Sequence, residues 1–117
     1  MFCIGYATGM TCPFCDRMAR GEAVAENELA AALLDGFPVS PGHTLIVPRR
    51  HEADLFLLEE AERRAVFELL NVMRERLLRE RRPDGFNVGV NVGAAAGQTV
   101  GHAHVHLIPR FKGDVED

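Results

Sequence analysis

Residues 85–109 read GFNVGVNVGAAAGQTVGHAHVHLIP, and the spacing of apolar residues in this stretch decides the fold. From Phe86 to Val92, Phe86, Val88, Val90 and Val92 alternate with Asn87, Gly89 and Asn91. From Thr99 to Pro109 the alternation returns, with His102, His104 and His106 set against Ala103, Val105 and Leu107. A period of two places one set of side chains on each face of a strand. Two such runs around the Gly/Ala loop from Gly93 to Gly97 predict a hairpin whose apolar faces are buried together, with Asn91 on the histidine face.

Upstream of this hairpin the period changes. Between Glu59 and about Arg82, the residues Ala65, Val66, Leu69, Leu70, Met73, Leu77 and Leu78 recur at three- and four-residue spacing. That is an amphipathic helix with acidic residues in its first turn and arginines at its end, as the helix dipole favours. The arginine cluster reads as a solvated helix end, and Pro83-Asp84-Gly85 stops the helix. Further upstream, residues 29–35 and 43–48 are short apolar runs parted by Gly36, Pro38, Pro41 and Gly42, the pattern of two strands and a turn. Strands on both sides of one long helix predict an α+β fold, an antiparallel sheet of about five strands with that helix and a shorter one.

The chain has 117 residues, 47% of them hydrophobic and 26% charged, which suits one domain over its whole length. A net charge of −4 argues against a nucleic-acid surface, which needs a basic face to neutralise phosphates. No run approaches the roughly 20 apolar residues of a membrane helix, and the opening MFCIGYATGMTC lacks a basic segment followed by an apolar one. A cytoplasmic protein without membrane or nucleic-acid partners is expected. The odd cysteine count, Cys3, Cys12 and Cys15, with a CxxC pair, fits a reducing compartment better than a disulfide framework.

Three imidazoles on one strand face carry the chemistry. A neutral imidazole is available near pH 7, attacks phosphorus well and leaves it readily once phosphorylated. Neighbouring polar groups can donate hydrogen bonds to the phosphoryl oxygens. The segments Pro41-Gly42-His43-Thr44, Asn91-Val92-Gly93 and Gly97-Gln98-Thr99-Val100-Gly101-His102-Ala103-His104-Val105-His106 resemble the histidine-triad family in order and spacing over nearly the whole chain. The resemblance implies a nucleotide hydrolase or transferase acting on the α-phosphate of adenylated substrates, nucleoside phosphoramidates or dinucleoside polyphosphates. It implies that His104 forms a nucleotidyl-histidine intermediate, assisted by His106 and His43. Asn91, Gln98 and Thr99 match positions that contact the phosphate or departing group, Asp35 matches a ribose-binding position, and Phe14 and Leu33 match residues flanking a purine base. A homodimer is implied as well.

Cys12, Cys15, His51 and His102 make a second set, two thiolates and two imidazoles available for a structural zinc. Some bacterial members of the family resemble this pattern. The run Cys12-Pro13-Phe14-Cys15 also resembles the redox motif of glutaredoxins, but neither a βαβ opening nor a strand after a proline in a Thr-Val-Pro context is visible. A noncatalytic nucleotide-binding module remains the alternative to an enzyme.

Overall fold

The computed structural model describes residues 12–114; Cys3, most of the opening segment read for a leader, and residues 115–117 lie outside the described residues. The chain forms helix α1 (Pro13–Ala19), strands β1 (Ala25–Glu26), β2 (Ala30–Leu34) and β3 (Thr44–Pro48), helix α2 (Glu60–Arg81), and strands β4 (Gly85–Gly89) and β5 (Val105–Arg110). The five strands form one sheet in the order β1-β2-β3-β5-β4, antiparallel at every pairing. The α+β expectation, one long and one short helix on an antiparallel sheet, is met. Among the described residues no helix is long and apolar enough to cross a membrane.

The sheet is covered on both faces. Ala30, Ala32, Ile46, Val105 and Leu107 pack with Val66, Leu69, Met73 and Leu77 of α2. Burying a side chain such as Leu69 or Leu77 contributes roughly 1.5–3 kcal/mol, so this seam fixes α2 on the sheet. On the opposite face Ala31, Leu33, Leu45 and Val47 pack with Cys12 and Phe14 of the α1 end. Three consecutive alanines are weak strand formers, yet Ala30, Ala31 and Ala32 are fully buried. Their small side chains are tolerated because β2 lies between β1 and β3 with a helix on each side.

Local chemistry sets the helix ends. The Glu62 carboxylate accepts the Glu59 N–H at 2.9 Å and the Arg50 guanidinium Nε at 3.0 Å, closing the first turn of α2. The Arg50 guanidinium, and then the Glu59 N–H, hold the Glu62 carboxyl below its usual range. At the other end Arg82 turns left-handed, with φ of 51°, because Pro83 disfavours a helical residue before it. At Gly42, where φ is +91°, a Cβ would stand 2.8 Å from the Arg81 side chain and 3.0 Å from that of Leu77, so glycine suits both the left-handed backbone and the close approach of this turn to the end of α2.

Two strand expectations need shortening. The alternating run from Thr99 is regular strand only from Val105, and the run from Phe86 ends at Gly89. The β3–β5 ladder stops at the pair Ile46 and Val105. Two residues beyond Ile46, Pro48 has no N–H to give, and its carbonyl lies 2.8 Å from His102 Nε2. Residues 102–104 attach instead to the segment after β3, where the Ala103 N–H donates to the Glu52 carbonyl at 2.6 Å. The alternation of faces survives: Ala103, Val105 and Leu107 are all buried toward α2. Val88 is the exception on β4, 54% exposed on the edge of the sheet.

Candidate active site and metal centre

His102, His104 and His106 stay on the α1 side of the sheet, but they divide between two sites. His104 and His106 are neighbours, their ring centroids 5.0 Å apart. Both line a cavity of about 570 Å³ together with Asn91, Thr99, Asp35 and Phe14. His102 is fully buried and faces the cysteines instead.

Hydrogen bonds fix the proton on each ring of the reacting set. His104 Nδ1 lies 2.8 Å from the His102 carbonyl. A carbonyl can only accept, so the proton is on Nδ1 and the lone pair of neutral His104 is on Nε2. His43 Nδ1 accepts the Val39 N–H at 3.1 Å, which puts the His43 proton on Nε2. That Nε2 is 2.9 Å from His106 Nδ1 and 3.3 Å from Asp35 Oδ2. The shorter contact takes the proton, leaving the remaining His106 proton on Nε2. Asp35, His43 and His106 gather close enough to suggest a cation site. The Val39 N–H argues otherwise, since it occupies the one His43 nitrogen that must lose its lone pair if Nε2 is to ligate.

Burial holds both rings of this relay neutral. His43 lies below its ordinary value through desolvation, which outweighs the opposing pull of Asp35. His106 is lowered by desolvation first, then by His104 and His43. Unfolded imidazoles protonate near 6.5, the folded pair only at lower pH. Stability is therefore full above the ordinary value and falls as pH drops through it toward the lowered ones. Denaturant titration of ligand-free protein is expected to give a lower midpoint at about pH 5.5 than at about pH 7.5, with a smaller difference in His106→Asn. An equal difference in that variant would assign the pH dependence to other groups.

The loop from Gly93 to Thr99 is built by Gln98. Its Oε1 accepts the Gly93 N–H at 2.8 Å, and its Nε2 donates to the carbonyls of Ala53 at 2.8 Å and Val100 at 2.9 Å. Gln98 is thus engaged by backbone and stands outside the cavity lining, whereas Thr99 is in it. Gly97, with φ of +92°, passes so close to Asn91 that a Cβ would lie 2.9 Å from Asn91 Nδ2. Only glycine satisfies both conditions. Leu33 is fully buried beneath the cavity, packed with Phe14 and Leu45 rather than lining the wall. Sequence reasoning missed Arg17, Phe37, Leu45 and Val100, which do line it. Arg17, three residues after Phe14 on α1, and Phe37, two after Asp35, were recoverable from their spacing to residues already singled out.

The second set assembles fully. Cys12 caps α1 and Cys15 lies one turn on, so both thiols share a face. Cys12 Sγ and Cys15 Sγ each lie 3.5 Å from His102 Nδ1, Cys15 Sγ lies 3.8 Å from His51 Nδ1, and the two Nδ1 atoms are 3.0 Å apart. Zn–S bonds of about 2.3 Å and Zn–N bonds of about 2.05 Å at tetrahedral angles require edges of roughly 3.3–3.8 Å. These four edges fit within a few tenths of an ångström, and all four ligand atoms lie within 4.8 Å of one another. His102 donates Nε2–H to the Pro48 carbonyl at 2.8 Å, turning the Nδ1 lone pair toward the sulfurs. Burial above all lowers His102 to about 4, so it is neutral and able to ligate at pH 7. Phe14 stands edge-on to both His102, at 5.9 Å, and His104, at 5.1 Å, so one ring separates the two sites.

Known proteins resemble this chain over most of its length. The chain is 38% identical to an HIT-like protein, MG132, of Mycoplasma genitalium over 90% of this chain and 77% of that one. It is 37% identical to an AP-4-A phosphorylase of Mycobacterium tuberculosis, over 80% of this chain and 49% of the phosphorylase. With an adenylylsulfatase, HINT3, of Arabidopsis thaliana the identity is 35%, over 88% of this chain and 54% of that one. Among solved structures, an HIT family protein from Bacillus anthracis superposes with a TM-score of 0.83 at 36% identity, over 93% of this chain and 78% of that chain. A zinc-bound histidine triad family protein from Mycobacterium smegmatis superposes with a TM-score of 0.72 at 32% identity, over 90% and 78% of the two chains. The HIT domain pattern itself matches residues 17–113, a span that includes the imidazole relay and the glutamine-built loop, and the chain belongs to the HIT domain family.

Proposed function

We propose that this chain is a nucleotidyl hydrolase or transferase in which His104 Nε2 attacks the α-phosphorus of a nucleotide. The observation that carries the reading is the bond from His104 Nδ1–H to the His102 carbonyl at 2.8 Å, which leaves the opposite nitrogen with its lone pair. The relatives named for AP-4-A and adenylylsulfate support the class: their substrates share an α-phosphoryl group and differ in what departs from it.

In the first step the Nε2–P bond forms as the bond to the leaving group breaks, the electron pair departing with that group. His106, with its proton on Nε2, donates a hydrogen bond to a phosphoryl oxygen, and Asn91 and Thr99 add donors from the cavity wall. In the second step the oxygen of water or another acceptor replaces Nε2 on phosphorus. The electron pair returns to His104, and the acceptor's proton passes to solvent. Asp35 is suited to accept ribose hydroxyls, Phe14 to flank the base, and Leu33 to support Phe14 from beneath. Cys12, Cys15, His51 and His102 would hold a zinc ion, which supplies cross-linking of α1 to the ends of β3 and of the 102–104 segment rather than chemistry at phosphorus. The edge strand β4 with its exposed Val88 supports a homodimer.

Turnover of adenosine 5′-phosphoramidate is to be compared with that of diadenosine tri- and tetraphosphate, with and without inorganic phosphate, on protein whose mass is fixed by sedimentation. Release of a nucleoside monophosphate or diphosphate by a particle of twice the chain mass is expected. Binding of AMP without turnover of any of these substrates would leave a noncatalytic nucleotide-binding module.

A further inference from the structure

The cavity has two chemically distinct ends. In the strand order β1-β2-β3-β5-β4, the end bearing Asn91, Thr99 and His106 belongs to the β5–β4 side. The other end belongs to β2, where α1 packs and where the strand runs on into Asp35 and Phe37. With the α-phosphorus at His104, and with Asp35, beside the His43–His106 pair, suited to the ribose hydroxyls, the base of the nucleotide is assigned to the Phe37 end. Its walls are Phe14 and Phe37, the latter 93% exposed with its N–H donated to Asp35 Oδ1 at 2.8 Å. An aromatic ring left this open beside a cavity is suited to stack on a planar base.

Arg17 stands one helical turn beyond Phe14, on the same face of α1. Its side chain is 21% exposed, and it is the one cation other than imidazole among the described residues lining the cavity. Arg17 Nε donates to Glu22 Oε1 at 2.8 Å, which fixes the plane of the guanidinium. Among the described residues, no hydrogen bond engages its two terminal nitrogens.

A guanidinium offers donors only, in a planar fork. Adenine sets an acceptor beside a donor on both its N7/N6 and its N1/N6 edges, so a fork of two donors meets one acceptor and opposes one donor. A 6-oxopurine sets two acceptors, O6 and N7, side by side. We infer that Arg17 reads the O6/N7 edge of the base, so that this chain prefers 6-oxopurine nucleotides, guanylyl or inosinyl, over adenylyl ones. The inference rests on the nucleotidyl-transfer reading and sharpens it from a purine nucleotide to one class of purine.

The test is the ratio of kcat/KM for guanosine, inosine and adenosine 5′-phosphoramidates in the wild type, Arg17→Lys and Arg17→Gln, each checked for folding by its melting curve. Wild type is expected to favour guanosine and inosine alike over adenosine, by on the order of 10- to 100-fold. Arg17→Lys keeps the charge and loses the fork, so its ratio should fall to within about threefold of one. Arg17→Gln offers a donor and an acceptor, which match adenine N7 and N6, and should tip the preference to adenosine. A wild type indifferent to the base, or favouring adenosine, overturns the inference while leaving the transfer reading intact. So does a ratio kept in Arg17→Lys, which would place Arg17 on a phosphate as a bare charge, or a preference for guanosine that inosine lacks. If none of the three is turned over, calorimetric binding of GMP, IMP and AMP to the same proteins decides the base preference, equal affinities in wild type overturning it, while the transfer reading stands or falls on the dinucleoside polyphosphates.

Discussion

Replacement of His104 by alanine is expected to lower turnover by on the order of 10⁴ or more while substrate still binds, because a covalent nucleophile and not a binding contact is lost. The geometry makes this specific to one ring. Of the two histidines that line the cavity among the described residues, His104 is the one whose Nδ1 proton is committed to a backbone carbonyl, that of His102, leaving Nε2 unprotonated with a fixed direction. His106 is expected to behave differently. It donates to the phosphoryl group without bonding to it, and its loss in His106→Ala should cost roughly 10² to 10³. Steady-state kinetics on the two variants separates the roles, and an equal cost for both would point to shared orientation of substrate in place of attack by one ring.

The second large effect is on the metal centre. Two sulfurs and two ring nitrogens, all within 4.8 Å of one another, offer a closed tetrahedral set, and purified protein is expected to carry about one zinc per chain without added metal. Loss of the ion, by a chelator or in Cys12→Ser, removes the tie between α1 and the end of β3. A cost of roughly 3 kcal/mol would lower the melting temperature by about 10 °C in a domain of this size. Because the His102 carbonyl holds the His104 proton and Phe14 stands between the two rings, turnover should also fall, by roughly 10-fold to 100-fold, as for other groups supporting a site from behind. Metal analysis of reduced, unchelated protein showing no zinc, or unchanged melting in Cys12→Ser, would remove the metal from the account.

Much of this was legible in the sequence, for a physical reason. Periodicity reports burial, so α2, β2 and β3, which are buried along most of one face or both, lay within a residue or so of where the spacing put them. It does not report hydrogen bonding. Residues 99–104 alternate like a strand and keep the faces of one, yet Pro48 and His102 end the ladder at Val105. Strand β1 has only two residues, too few to show a period, and α1 is set by a cysteine cap and a proline rather than by an apolar stripe. The candidate site was legible where residues cluster in sequence, as with His102, His104 and His106. That His102 would leave the reacting face depended on Cys12, Cys15 and His51, brought in by α1 and the end of β3. Arg17 and Phe37 belong to no motif and were marked only by their spacing to Phe14 and Asp35, because their position at the cavity follows from how α1 and the β2–β3 turn meet the sheet.

The central claim is that His104 becomes bonded to phosphorus. Enzyme mixed with a nucleotide substrate labelled in the α-phosphate, quenched within milliseconds in alkali, where a bond between imidazole and phosphorus survives, and digested for peptide mapping tests it most directly. Label on the peptide at His104, with net retention of configuration at phosphorus over the full reaction, is the predicted result; inversion at phosphorus with no label on any histidine, at full turnover, would show that water attacks directly and would contradict the account.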